Sequence, residues 1–299
     1  AMPVGRRARL PKAGSSPALS TSLRRLDMSG LRTRIAPTPS GFLHAGNALN
    51  FLVTHQLARE EDGAILLRID DLDTGRTRPE YVQDIFDSLD WLGITWDEGP
   101  RDAEDFRENW SQTLRLEQAD ALLLALKDAG HLYACTCSRR QVADCMCRER
   151  DLSFDVPEAC WRLRVPEPCP VVIKNWPLGE FRADLHSALP APALRQSNGS
   201  PAYQLASLAD DVRYGMSLIV RGEDLLPSSA CQVYMASLLG LNTFCAIRFL
   251  HHPLIADNKG RKLSKSEGAD SLRAMRLASG PPDHLRKQAA DLLALLRAQ

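Results

Sequence analysis

Two clusters of side chains suited to phosphate chemistry stand near opposite ends of this chain. The first is Pro37-Thr-Pro-Ser-Gly-Phe-Leu-His-Ala-Gly-Asn47, and the second is Lys262-Leu-Ser-Lys-Ser266. An extended Arg32-Thr-Arg-Ile-Ala36 stretch leads into the first, and an apolar run with helical spacing, Leu49 to Leu57, follows it. Strand, glycine-containing turn and helix start would together aim backbone N–H groups and the helix dipole at one point, which suits a phosphate. His44 lies in that turn, where its imidazole can donate to a phosphate oxygen, and Gly46 lets the backbone approach a nucleotide closely. Lys262 and Lys265 sit beside two hydroxyls and suit the charge that builds on ATP as pyrophosphate leaves.

From Arg32 to Ala269 the order and flanks of these clusters resemble the catalytic part of the class I glutamyl-type aminoacyl-tRNA synthetases. The likeness extends to Leu67-Arg-Ile-Asp-Asp-Leu-Asp73, Asp90-Trp-Leu-Gly-Ile-Thr-Trp-Asp-Glu-Gly-Pro100, Ala202-Tyr-Gln-Leu-Ala206 and Ile219-Val-Arg-Gly-Glu-Asp224. The resemblance implies a ligase that activates glutamate with ATP, the accompanying Mg2+ held mainly by phosphates and water. His44, Lys262 and Lys265 would be the catalytic, charge-stabilising residues, with His44, Gly46, Asn47 and Lys265 on the nucleotide. Arg34, Ala36, Thr38, Asp70, Tyr203 and Arg221 would hold the amino acid, Asp70 facing its ammonium and Arg221 gripping its distal carboxylate bidentately. Most of the family has Glu where this chain has Asp70, so either the substrate shifts or a water spans the missing methylene.

Full-length members carry a long helical anticodon-reading part after the Lys-Ser loop, and only a short stretch follows Lys265 here. The resemblance is therefore nearest to the truncated glutamyl-queuosine tRNA(Asp) synthetase branch, which implies tRNA(Asp) as partner and queuosine as acceptor. Two other readings are a different acceptor, such as a tRNA 3′ end or a carrier protein, and a non-catalytic relic. Intact His44, Lys262 and Lys265 oppose the relic.

The positioning elements follow from apolar periodicity. Residues 30–100 read as strand, helix, strand, helix, with a strand at Ala64–Ile69 and an amphipathic helix at Pro79–Leu92; residues 201–270 supply a second half with a strand at Leu218–Val220, a helix at Ser228–Leu239 and a strand around Arg248–Leu250. The expected fold is α/β, a Rossmann-type doubly wound parallel sheet. Residues 101–200 are an insertion, opening with a helix at Leu114–Ala129, and 271–299 a short helical tail. Residues 1–29, basic and serine-rich with no acid from 2 to 26, read as a disordered or leader segment.

Five of the eight cysteines, Cys135, Cys137, Cys145, Cys147 and Cys160, crowd into the insertion. In a reducing compartment such a cluster points to zinc held by four thiolates. The resemblance, through a Tyr133-to-Cys137 run, implies Cys135, Cys137 and Cys160 as ligands. Cys147 is the expected fourth, with Cys145 its alternative.

Lys plus Arg and Asp plus Glu balance at 37 each, for a net charge of +0. That argues against non-specific coating of nucleic acid, which needs a basic excess. Arg273, Arg276, Arg286 and Lys287 form a local basic group that either follows an RNA backbone or is a solvated helix face. No apolar stretch is long enough to span a bilayer, so a cytoplasmic monomer without membrane contact is expected.

Overall fold

The structure, a computed structural model, describes residues 30–138, 140–142, 145–177, 179–254, 271–278 and 280–298. The first stretch runs β1 (Arg32–Ile35), α1 (Ala45–Glu60), β2 (Ala64–Leu67) and α2 (Pro79–Trp91). Then come α3 (Ala103–Asp105), two further single turns, α4 (Glu117–Asp128), β3 (Leu132–Cys135) and α5 (Cys147–Arg150). Four short strands follow: β4 (Cys160–Leu163), β5 (Pro170–Lys174), β6 (Glu180–Asp184) and, after α6 (Leu185–Ala188), β7 (Ala193–Arg195). The chain continues through α7 (Tyr203–Arg213), β8 (Leu218–Gly222), α8 (Leu226–Leu238), α9 (Asn242–Cys245) and β9 (Arg248–His252). It ends in α10 (Leu272–Leu277) and α11 (Asp283–Arg297).

Side-chain alternation along the strands decides the layering. In β8, Leu218 and Val220 join the core that holds α1 and α11, whereas Ile219 joins the core that holds α7 and α8. Leu250 and Phe249 divide in the same way in β9, as do Ile65 with Leu67 and Leu66 in β2. Strands that are apolar on both faces need helices on both sides, which is the parallel α/β arrangement. β1 pairs with β2 and β8 with β9, both in parallel. β1 and β8 then meet at their starts, where Ser217 N donates to Arg32 O and Arg32 N to Ser217 Oγ, each at 2.8 Å. Strands from both chain halves thus contribute to each of two cores, one on either face.

The insertion builds an antiparallel β3–β4–β7 sheet and a β5–β6 hairpin. Cys135 lies opposite Cys160 in the first sheet. Trp176 N donates to Phe249 O at 2.9 Å and docks the hairpin on β9. Two prolines beginning helices, Pro79 and Pro227, occupy first-turn positions where no N–H is needed.

Three of the four residues in the tail's basic group, Arg273, Arg286 and Lys287, lie on exposed helix surface. Leu285, Ala289 and Leu293 bury α11 in the same core as α1. Arg276 reaches Asp84 at 3.2 Å and Asp87 at 3.1 Å on α2, Arg286 donates to Leu92 O at 3.3 Å, and Arg273 lies over the Phe42 ring. Arg276 and Arg286 tie the tail to α2, where the buried Asp84 needs a counter-charge. No helix among the described residues is long and apolar enough to cross a membrane.

Candidate active site

A cavity of about 450 Å³ opens at the C-terminal ends of β1 and β8, against the first turn of α1. Ligands gather at this edge of parallel sheets because the strands end there and the helices begin. Arg34, Ala36, Thr38, His44, Gly46, Asn47, Tyr203 and Arg221 all line it, which brings most of the residues singled out by sequence into one wall.

The turn before α1 is built on His44. Its Nδ1 accepts from Gly46 N–H at 3.1 Å while Asn47 Oδ1 accepts from His44 N–H at 3.1 Å, a reciprocal cap of the helix start. With Nδ1 accepting, the neutral ring carries its proton on Nε2, so Nε2 is the donor His44 has to offer. A Cβ on Gly46 would stand 2.9 Å from His44 Cε1. Any larger residue there would push on the imidazole that caps the helix start, so glycine suits the position for a reason beyond nucleotide approach.

Arg221 is 2% exposed. Its Nη1 donates to Gln232 Oε1 at 3.0 Å and to Ser229 Oγ at 3.3 Å, and the guanidinium lies over Phe249. Nε and Nη2, the two nitrogens along one side of the fork, are buried with no hydrogen-bond partner among the described residues. That side is a ready bidentate seat for a carboxylate. Behind it, Ser229 Oγ meets His251 Nε2 at 2.8 Å. Burial, reinforced by Arg221, pulls the His251 imidazole down to about 4, so it is neutral near pH 7 and adds no charge beside the guanidinium. His252 closes the cavity from β9, paired through Nε2 with Asn50 Nδ2 at 3.0 Å.

Beneath the cavity lies a buried charge network that sequence reasoning missed. Arg68 donates from Nε to Asp70 Oδ1 at 2.7 Å, from Nη2 to Asp70 Oδ2 at 3.2 Å, and from Nη1 to Asp211 Oδ1 at 2.7 Å. The same Asp211 oxygen accepts from Arg34 Nε at 3.2 Å. Asp210 receives both Arg115 Nε at 2.9 Å and Gln112 Nε2 at 2.8 Å. Burial lowers the Arg34 guanidinium to about 10, with Asp211 opposing, which leaves it charged at neutral pH. Asp70 therefore sits differently from the expectation: it lines a second, larger cavity, and both its oxygens already accept from Arg68. The one signal in the sequence was the acidic pair Asp210-Asp211 inside an otherwise apolar-faced segment.

The second cavity, about 1120 Å³, adjoins the first through Thr38 and Tyr203, which line both. On its far side four sulfurs converge. Cys135, Cys137, Cys145 and Cys147 place their Sγ atoms within 4.8 Å of one another, with Cys135–Cys145 at 3.5 Å and Cys137–Cys147 at 3.7 Å. A tetrahedron of zinc–sulfur bonds of about 2.3 Å has edges of about 3.8 Å, so the spacing and the donor set fit a closed tetrathiolate zinc site. Cys160, an expected ligand, is not part of this group. Two Cys-x-Cys pairs complete the four thiols, with Cys145 as the fourth member, and tetrahedral coordination needs no fifth. Lys262 and Lys265 lie outside the described residues, as does the 1–29 segment.

Residues 30–153 and 139–289 match the family model described as "tRNA synthetases class I (E and Q), catalytic domain". The chain belongs to that family. Among its curated relatives is the glutamyl-Q tRNA(Asp) synthetase of Nitratidesulfovibrio vulgaris, 34% identical over 288 residues, covering 89% of this chain and 87% of that protein. The protein of the same name from Burkholderia cenocepacia is 37% identical over 259 residues, covering 81% and 83%. The crystal structure of glutamate-tRNA synthetase from Elizabethkingia anophelis is similar at a TM-score of 0.67 and 25% identity; the match covers 79% of this chain and 53% of that one. This chain thus spans about half of that longer enzyme. The synthetase is a ligase of this class.

Two outcomes follow from the site of this synthetase. Replacing Cys135, Cys137, Cys145 or Cys147 by Ser should each lower bound zinc measured by atomic absorption, whereas Cys160→Ser should retain it; metal loss on Cys160→Ser alone would reverse the assignment. The neutral His251 gives a pH signature. Its folded value lies below the ordinary 6.5 of the unfolded chain, so the unfolded state binds the proton first and stability falls as pH drops from about 6.5 to about 4. His251→Asn should remove on the order of 2–3 kcal/mol of that acid-side loss in urea unfolding at stepped pH. An unchanged pH slope would show that His251 is not buried neutral.

Proposed function

We propose that this synthetase activates glutamate with ATP and transfers it to queuosine in the anticodon of tRNA(Asp), as a cytoplasmic monomer. The observation that carries the amino-acid part is the unpaired Nε and Nη2 side of Arg221, buried in the wall of the first cavity. A buried guanidinium with two idle donors is costly unless an anion completes it, and a carboxylate is the anion whose two oxygens match its fork. The names of the relatives support the acceptor part.

In this reading the distal carboxylate of glutamate seats on Arg221. Arg34, Ala36 and Thr38 line its path, and lone pairs left on Asp70 face the ammonium. An oxygen of the α-carboxylate attacks the α-phosphorus of ATP; the new C–O–P linkage forms as the bond to pyrophosphate breaks, and pyrophosphate departs with the electron pair. His44 Nε2 donates to a phosphate oxygen at the start of α1, with Gly46 and Asn47 holding the turn that aims it. Lys262 and Lys265 supply further positive charge to the departing phosphates, and Mg2+ accompanies the nucleotide. A hydroxyl of the acceptor then attacks the activated carbonyl carbon, loses its proton and releases AMP. No enzyme nucleophile takes part. Zinc on Cys135, Cys137, Cys145 and Cys147 would stiffen the insertion without entering the reaction.

Glutamate-dependent exchange of pyrophosphate into ATP, run without tRNA, tests the activation step. Arg221→Gln should raise the Michaelis constant for glutamate at least about tenfold, the scale of a charge-assisted pair, and leave that for ATP within about twofold. Exchange supported by another amino acid and not by glutamate would overturn the substrate. Transfer of labelled glutamate should proceed to queuosine-containing tRNA(Asp) and not to the same tRNA lacking queuosine; equal transfer to both would overturn the acceptor.

A further inference from the structure

The second cavity contains a cation that the activation chemistry leaves unused. Along β4 the side chains alternate: Trp161 and Leu163 enter the core shared with α7 and α8, while Cys160 and Arg162 line the cavity. Arg162 is 6% exposed. Its Nη1 donates to Ala191 O at 2.8 Å, its Nε is buried without a hydrogen-bond partner, and no carboxylate among the described residues pairs with it. Of the other buried arginines, Arg34 and Arg68 are matched by aspartates, and Arg221, with no carboxylate partner among the described residues, faces the first cavity. A guanidinium kept out of water and unmatched by an anion calls for a ligand that brings one.

We propose that Arg162 anchors a phosphodiester of the RNA acceptor in the second cavity, one wall away from the carboxylate being activated. The inference rests on the aminoacyl-transfer reading above. The cavity is more than twice the volume of the first, too large for the amino acid alone, and it meets the first at Thr38 and Tyr203, where an incoming hydroxyl must approach. The cavity is lined by the uncharged Gln196, Ser197 and Thr136 as well as by Asp70, Asp73, Glu158 and Arg76, and of these Asp70 and Asp73 already pair with Arg68 and Arg76. The uncharged groups suit the neutral sugar and base of a nucleotide, whose single negative charge lies on its phosphate. The competing role for Arg162 is to offset the negative charge of the four thiolates, since it lies opposite Tyr133 on the strand that leads into Cys135.

Arg162→Gln and Arg162→Lys in the full chain separate these roles, with queuosine-containing tRNA(Asp) as the probe. Arg162→Gln should leave glutamate-dependent pyrophosphate exchange and zinc content at wild-type levels and raise the Michaelis constant for the tRNA at least about tenfold. The slope of log binding constant against log salt should become shallower by about one for Arg162→Gln, the loss of one phosphate contact, and stay near wild type for Arg162→Lys. An unchanged salt slope, or zinc lost in step with tRNA affinity, would overturn the proposal. Because the slope reads binding alone, it still tests Arg162 if wild-type transfer to this tRNA fails; that failure would instead retire the acceptor reading.

Discussion

The buried pairing of Arg68 with Asp70 and Asp211 is the constraint on which the rest of the site depends. An arginine taken out of water is tolerated only where carboxylates complete its fork, and here the partners come from far apart in sequence: Arg68 follows β2, Asp211 sits in α7, and 143 positions separate them. Asp211 also accepts from Arg34 at the end of β1, and Asp210 beside it accepts from Arg115 and Gln112 at the start of the insertion. A single helical turn of α7 therefore fixes both halves of the parallel core and the root of the insertion. Moving any one of them would strand a buried charge, so the network acts as a geometric lock more than as a source of net stability.

The lock has a consequence for chemistry. With Arg34 and Arg68 matched to aspartates, the positive charge facing the first cavity is left to Arg221, whose Nη1 is occupied by Gln232 and Ser229 and whose other side is idle. Neutral His251 keeps a second cation away from that fork. The site thus has idle guanidinium donors at one end and a helix start capped by His44 at the other, a layout in which a molecule with one carboxylate to anchor can present another to a phosphate.

The sequence made the local parts legible and left the long-range ones hidden. The helix from Ala45 and the parallel strands were readable because each is declared by periodicity and turn residues over a few neighbouring positions. Helix α7 and its two aspartates were not assigned, because two adjacent acids interrupt an apolar stripe and only their distant arginines explain why they are buried. Nor does anything in the local sequence show that Arg68, two residues before Asp70, curls back to donate to both its oxygens. The family resemblance brings in Cys160 and leaves Cys145 and Cys147 as alternatives for one place, whereas the four sulfurs that converge follow the repeated Cys-x-Cys pattern of 135–137 and 145–147.

The unfolding free energy of Asp211→Asn, measured in urea at pH 7, tests the lock most directly. Asparagine keeps the shape and removes the charge that Arg34 and Arg68 share, so two buried cations lose their common partner. The account predicts a loss of roughly 3–5 kcal/mol, the cost of breaking a buried pair from one side. A loss below about 1 kcal/mol, the scale of an exposed ion pair, would contradict it.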